Sequence, residues 1–357
     1  MSESRYPARY QHELENGKIQ CDLCPRGCAL KEGQRGFCFV RRCIGHEIVL
    51  TTYGRSSGFC IDPIEKKPLN HFYPNTSVLS FGTAGCNLGC RFCQNWHLST
   101  SREMDRSADQ ASPESIALTA VRYGCRSVAF TYNDPVIFAE YAMDVARSCH
   151  EHKIKTVAVT AGYIEKTARA DFFRDMDATN VDLKAFRQEF YKKYCAGNLH
   201  PVLETLKYLK QETDVWVEIT NLLIPGVNDS EKELQEMTDW IAKNLGLNVP
   251  IHFSAFHPSF KMRDVASTPT ERLLNARRIA LSKGLRYVYT GNVSDADGGK
   301  TYCPNCKTTV IERFWYELRG YRLDENRCRA CGHEIAGRFD PEQGKWGQKR
   351  LPIRIGL

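Results

Sequence analysis

Three cysteines, Cys86, Cys90 and Cys93, stand at the spacing CxxxCxxC inside the segment FGTAGCNLGCRFCQNW. A loop with this spacing turns three thiolates toward one centre. Soft thiolates suit iron–sulfur clusters, and a four-iron cubane held by three cysteines keeps one iron open. An open iron is what a substrate-binding cluster requires. Gly85 and Gly89 permit a tight backbone path around such a cluster. Phe92, just before the third cysteine, is suited to shield it and to cover an adenine. The competing reading is a zinc site completed by His97. The unusual spacing, the aromatic before the last cysteine and the strand just ahead of the motif favour iron–sulfur.

Two further cysteine groups flank this one. Cys303, Cys306, Cys328 and Cys331 form CPNC and CRAC knuckles separated by 21 residues. Each knuckle aims two thiolates at one ion, the pattern of a zinc ribbon, which suits zinc or a mononuclear iron. Metal binding would supply folding energy on the order of 10 kcal/mol to so small a unit. The role expected of it is structural, although Phe314, Trp315, Tyr316 and Arg319 would make an aromatic, basic docking surface. Cys21, Cys24, Cys28 and Cys38 form CxxCPRGC followed by a fourth cysteine, with Cys43 or Cys60 as substitute ligands. Zinc and an auxiliary iron–sulfur cluster both suit this group, with a structural metal preferred. Cys125, Cys149 and Cys195 lie in apolar or isolated settings and read as plain thiols.

The chain has 357 residues, 42% hydrophobic and 25% charged, which suits a globular protein of two or three domains. Its amino-terminal stretch lacks the apolar core of a secretory signal. No apolar run approaches the roughly 18 residues of a membrane helix. A cytoplasmic protein with no membrane association is therefore expected. Of the sixteen cysteines, thirteen fall in the three regions above, which points to metal ligation rather than disulfides. The net charge of +7 is mild and spread along the chain. It is compatible with a nucleic acid or an acidic protein partner, but no motif supports one.

Three zones must position these groups: a Cys-rich segment over 1–75, a βα region over 76–295, and a zinc-ribbon-like domain with a basic tail over 296–357. The middle zone alternates short β-rich runs at 77–82, 127–132, 156–160, 180–184, 215–224, 251–256 and 287–291 with helical patterns. Ser112-Pro113 opens one helix, which stops at Gly124. Asp229 or Ser230 caps another that runs to Gly246, and Thr268-Pro269 opens a third that ends near Gly284. This alternation predicts an α/β fold with a parallel sheet and right-handed crossovers, either a full or partial (β/α) barrel or an open doubly wound sheet. In each, the active site lies at the carboxyl ends of the strands.

The three-cysteine motif after the first strand resembles the radical S-adenosylmethionine (SAM) superfamily. The wider set DPIEKKPLNHFYP, GCNLGCRFCQNW, TYNDP, VDLK, IPGVNDS, HFSAFHP, YVYTGNV and TYCPNC resembles its organic-radical-activating, pyruvate formate-lyase-activase-like branch. Within that branch it is similar to the AmmeMemoRadiSam system radical SAM enzymes, over about residues 20–340. The resemblance implies a [4Fe-4S] cluster whose open iron is chelated by SAM. It also implies one-electron cleavage to a 5′-deoxyadenosyl radical, and hydrogen abstraction from a substrate it does not name. It carries a SAM-binding role to Asn133, Asp134, Thr160, Asp182 and Asn221, with Phe92 beside them. Lys184 and His257 become candidate catalytic residues, and Asn292 a further residue facing the site. Two positions depart from the family: Asp134 stands where glutamate is commoner, and Ala161 where asparagine is frequent. A ferredoxin or flavodoxin would supply electrons, and functional association with Memo-like and AMMECR-like proteins is implied. The alternatives are a glycyl-radical activase acting on a partner protein and a non-enzymatic metal-binding or electron-transfer adaptor.

Overall fold

The computed structural model describes residues 5–102 and 109–355. Its centre is a sheet of nine strands: β1 (Phe59–Pro63), β2 (Ser77–Phe81), β3 (Ser127–Phe130), β4 (Lys155–Thr160), β5 (Ala178–Asp182), β6 (Trp216–Leu223), β7 (Ile251–Ala255), β8 (Val288–Gly291) and β9 (Leu351–Ile353). Strands β2 to β8 are parallel and each pairs with the next. β1 joins antiparallel to β2, and β9 antiparallel to β1. Six helices make the crossovers: α1 (Pro113–Arg122), α2 (Ala139–Glu151), α3 (Lys166–Arg174), α4 (His200–Glu212), α5 (Glu231–Leu245) and α6 (Thr270–Ser282). A doubly wound sheet reverses its strand order at a switch point. Here the order runs through without reversal, and β8 and β9 occupy opposite edges. The fold is therefore an open βα barrel rather than the doubly wound alternative.

The helix signals act much as their residues suggest. The Ser112 hydroxyl accepts from the Ser115 amide at 3.1 Å ahead of Pro113, and the Ser230 hydroxyl accepts from the Glu233 amide at 3.4 Å. Gly246 closes α5 at φ 87°, in the left-handed region that glycine tolerates. Thr268 behaves differently from expectation. Helix α6 starts after Pro269, and the Thr268 hydroxyl instead bridges strand ends, accepting from Phe256 N at 2.9 Å and donating to Leu223 O at 2.6 Å.

Both faces of the sheet are covered, by different material. The outer face packs Phe81, Phe130, Ile219 and Phe253 against helix residues such as Ile116, Phe172 and Leu273. Toward the lumen, Val78, Ala129, Val157 and Ala178 pack on Ile64, Leu69 and Phe72. The chain thus fills the lower barrel with its own segment 64–72. Polar strand residues hold that segment: Asn180 donates to Pro68 O at 2.7 Å, and the buried Glu218 carboxylate accepts from the backbone amides of Asn70 and His71 at 3.0 and 2.7 Å.

The amino-terminal hairpins dock on α2 through a buried ion pair. Arg41 bonds Glu140 at 2.5 and 3.2 Å, and their side chains are 2% and 0% exposed. Burial pushes the Glu140 carboxyl up, but Arg41 and the Arg9 amide outweigh it and hold it below the ordinary carboxylate range. Replacing one member of such a pair strands the other charge in the interior. Glu140→Leu is therefore expected to cost about 3–5 kcal/mol in urea unfolding at pH 7. Because the native carboxyl is the stronger acid, the pair's contribution is complete above the unfolded carboxylate value and fades as pH falls through the native one. The variant's deficit should shrink in acid, and an equal deficit at low pH would contradict the ion-pair account.

After β8 the chain forms a three-stranded antiparallel sheet (Thr301–Tyr302, Thr309–Phe314, Glu317–Tyr321) that carries the first CxxC knuckle, and a two-stranded hairpin (Leu323–Asp324, Arg327–Cys328) that carries the second. The sheet docks on the barrel through Arg313, which donates to Asn70 O at 2.5 Å. His71 adds a second anchor, with Nε2 2.5 Å from the Tyr289 hydroxyl and Nδ1 2.6 Å from Ala336 O. Among the described residues, no helix is long and apolar enough to cross a membrane.

Candidate active site

The loop after β2 carries Cys86, Cys90 and Cys93 across the carboxyl ends of the strands. It is clamped from three sides. Asn133, at the end of β3, accepts from Thr83 N at 3.2 Å and donates to Gly85 O at 2.8 Å. The turn after β5 receives Gly89 N on Cys195 O and Arg91 N on Tyr194 O, both at 2.8 Å. The segment after β7 adds Ser259 Oγ to Cys93 O at 3.2 Å and Lys261 N to Arg91 O at 3.0 Å. Gly85 sits at φ +84°, and a Cβ there would stand 2.0 Å from Cys38 O, so only glycine fits.

The three thiols converge on the charged residues expected beside them. Burial raises Cys86, and the neighbouring Asp134 and Cys90 add to this. Cys90 is raised by a hydrogen bond to the Cys195 thiol and by burial, against the charge of Lys184. Burial also raises Cys93, opposed by a 3.3 Å contact with Ser99 Oγ. Lys184 lies 2.9 Å from Asp182 and 6.0 Å from the Phe92 ring centroid. Burial opposes its charge, but Asp182 and Cys90 more than restore it. Phe92 itself is buried, with Phe190 5.8 Å away.

Asp134 is the most closely held of these groups. Its carboxylate accepts from Thr160 Oγ1 at 2.8 Å, Ala161 N at 3.2 Å and Val136 N at 3.1 Å. Burial lifts it to about 6, against those bonds and Lys184. The expected SAM contacts at Asn133, Asp134 and Thr160 thus fall on residues that already brace the loop and the strand ends. Asn221 is similar: Nδ2 donates to Leu183 O at 2.6 Å, while Oδ1 is buried and has no hydrogen-bond partner among the described residues. Two residues lie outside the group. His257 is exposed and contacts Ser267 at 3.3 Å, and Asn292 lines the neighbouring cavity in the left-handed region at φ 62°.

Cys195 belongs to the site although its sequence neighbourhood reads as that of a plain thiol. It is fully buried behind Cys90, and its carbonyl holds Gly89. The signal available in sequence was only YKKYCAGN, a helical end followed by small residues. Beside the loop lies a cavity of about 670 Å³, within the ordinary range of ligand sites. Its lining includes Gln94 and Asn95 after the cluster motif, Thr131 and Tyr132 after β3, Lys66 and Lys67 from the lumen segment, and Trp315 and Arg319 from the ribbon.

The donor set fits a cluster better than a single ion. His97 packs at a tilt against Trp96, with centroids 3.6 Å apart, instead of joining the cysteines. Among the described residues, only Cys303, Cys306, Cys328 and Cys331 bring three or more His, Cys, Asp or Glu ligand atoms within 4.8 Å of one another, as a mononuclear ion requires. Cys86, Cys90 and Cys93 do not draw together in this way, which argues against the zinc alternative and suits thiolates that bind separate irons.

An open parallel βα barrel with a three-cysteine loop at its carboxyl face defines a radical SAM fold. Residues 81–238 match the Radical SAM superfamily. The chain is 41% identical over 330 residues to an uncharacterized protein of Methanocaldococcus jannaschii, covering 92% of this chain and 98% of that one. The chain belongs to one family with that archaeal protein, and residues 81–238 form a radical SAM domain, which implies binding of SAM and a [4Fe-4S] cluster. More distant similarity, 22% over 212 residues, links it to the 4-hydroxyphenylacetate decarboxylase activating enzyme of Clostridioides difficile, covering 58% of this chain and 56% of that enzyme. The chain also resembles the pyruvate formate-lyase-activating enzyme of Clostridium pasteurianum, at 22% identity over 205 residues, 53% of this chain and 83% of that one. A radical SAM methyltransferase from Sphaerobacter thermophilus shares the fold at TM-score 0.50 and 17% identity, covering 61% of this chain and 67% of that one.

Proposed function

We propose that the chain reductively cleaves SAM and removes a hydrogen atom from a substrate held in the cavity beside Asn95 and Tyr132. The observation that carries this reading is the convergence of Cys86, Cys90 and Cys93 with Asp134, Asp182 and Lys184 at the strand ends, next to that cavity. When bound, the cluster and SAM supply the electron and the sulfonium whose cleavage yields the 5′-deoxyadenosyl radical. The protein's own residues do the rest. Lys184, fixed by Asp182, offers a cation to the SAM carboxylate. Asp134 offers negative charge to the SAM ammonium and keeps the amide of Ala161 and the hydroxyl of Thr160 oriented. Phe92 covers the cysteine loop on the Lys184 side and limits water there.

The cavity suggests the substrate's character. Its lining mixes cations, Lys66, Lys300 and Arg319, with the carboxylates of Asp295 and Glu312, and the half-exposed Trp315 suits a polar molecule with a planar or apolar portion. A glycyl-radical activase, acting on a backbone glycine of a partner protein, is the second reading, favoured by the activating enzymes among the relatives. The pairing with Memo-like and AMMECR-like proteins belongs to the narrower family proposal and would be functional association. A ferredoxin or flavodoxin would be the electron donor.

The test is anaerobic. Reconstituted protein with SAM and dithionite is expected to release 5′-deoxyadenosine and methionine. An intact cluster that releases neither would mark the chain as an adaptor and end the enzymatic reading. An activase would in addition leave a glycyl radical on its partner, visible by electron paramagnetic resonance.

A further inference from the structure

We propose that Cys21, Cys24, Cys28 and Cys38 hold a second [4Fe-4S] cluster, ligated entirely by cysteine, that passes single electrons to the cluster on Cys86, Cys90 and Cys93. The ribbon provides an internal standard for a mononuclear site. A zinc–sulfur bond of about 2.3 Å puts tetrahedral sulfurs about 3.8 Å apart. The ribbon matches this, with Cys303 Sγ to Cys331 Sγ at 3.6 Å and Cys306 Sγ to Cys328 Sγ at 3.8 Å. The four amino-terminal cysteines line one shared cavity, yet among the described residues no three of their sulfurs gather within 4.8 Å. Ligands that share a chamber but stand apart suit metal atoms that are themselves spread over a cubane.

The chamber's other walls agree. Leu23, Phe37, Val136 and Ile137 make it apolar, and among the described residues no acidic side chain lines it. Arg26 and Arg41 are its charged members; Arg41 is paired with Glu140, so Arg26, which donates to the backbone carbonyls of Asn87 and Ala196, is the cation that offsets a thiolate-bound cluster. A cluster with four cysteine ligands has no open iron, so its task is electron transfer rather than SAM binding.

The position supplies the route. Asn87, between Cys86 and Cys90 in sequence, lines the same chamber, and Arg26 Nε donates to its carbonyl at 2.7 Å. Cys38 O abuts Gly85, next to Cys86, so closely that a Cβ there would lie 2.0 Å away. The two ligand sets therefore share a wall. Phe37, 44% exposed, forms part of the chamber's boundary with solvent, where a flavodoxin or ferredoxin can dock. Such a donor reduces the second cluster by one electron. That cluster gives the electron to its neighbour and returns to its oxidised state.

Iron, sulfide and zinc are counted on the anaerobically reconstituted full chain, with Mössbauer spectra to type the iron. About eight irons and eight sulfides per chain are expected, all in cubanes, with one further metal on the ribbon. The double variant Cys24→Ala/Cys28→Ala should lose half of the iron and sulfide. About four irons with a zinc on the amino-terminal cysteines would overturn the assignment, and the wild-type count decides this even if the variant fails to fold. The relay role rests on the SAM-cleavage reading and is tested apart from it. In the double variant, dithionite-driven 5′-deoxyadenosine formation should persist while flavodoxin-driven formation is lost, and equal flavodoxin-driven rates would overturn the relay. If the wild-type chain carries both clusters but forms no 5′-deoxyadenosine with dithionite, SAM cleavage fails while the second cluster stands.

Discussion

Cys90→Ala is expected to release no 5′-deoxyadenosine from SAM and to lose the iron held by its loop, while the ribbon metal stays bound. Cys90 is the central ligand of the three, and it faces Lys184 as well as the other thiols. Its backbone neighbourhood is fixed independently, because Gly89 and Arg91 hang from the carbonyls of Cys195 and Tyr194. The loop should therefore keep its path, and the loss should be one of metal rather than of fold. Cys195 supplies the control. Its thiol bonds that of Cys90, so Cys195→Ala removes a neighbour but no assigned ligand. That variant should retain the loop's iron and its SAM cleavage. Cleavage that survives in Cys90→Ala would remove the basis for the assigned ligand set.

The second large effect concerns the ribbon. We infer that its four cysteines hold a metal; withdrawing it, by chelation or by Cys303→Ser/Cys306→Ser, should cost on the order of 10 kcal/mol and unfold residues 301–335. The thiols are already unequal. Burial pushes Cys303 up to about 12, whereas hydrogen bonds at Thr308 bring the exposed Cys306 down to about 6. The unit has few apolar residues of its own, chiefly Val310, Ile311, Leu318, Leu323 and Ile335. Hydrogen exchange should show the amides of 301–335 losing protection while those of β2 to β7 keep theirs. Continued protection without metal would show that packing alone holds the ribbon.

Much of this site can be read from local sequence, because its chemistry is local. CxxxCxxC needs only one loop, the CPNC and CRAC knuckles only short turns, and each parallel strand carries its own run of Val, Ile and Phe. The strand boundaries shift by one or two residues where a polar end continues into a loop, as at Lys184, which follows β5. What local sequence does not carry is contact over distance. Cys195 meets Cys90 across more than a hundred residues, and nothing in YKKYCAGN announces it. The lumen segment has no helical or strand period, since its side chains serve a surrounding wall rather than one face. β9 pairs with β1 from nearly the opposite end of the chain. His257 is a histidine at a strand end, a position that suggested chemistry, but its exposed side chain reaches Ser267.

The segment that fills the lower barrel has a consequence for selectivity. The floor beneath the reacting centre is made of connecting chain, anchored by Glu218 and Asn180, rather than of the strands themselves. Lys66 and Lys67 rise from that floor and share the Asp62 carboxylate, at 3.2 and 2.8 Å. Exchanging the partly exposed Lys66 for a neutral or acidic residue should retune which molecules are accepted while the cysteine loop and its supports stay untouched.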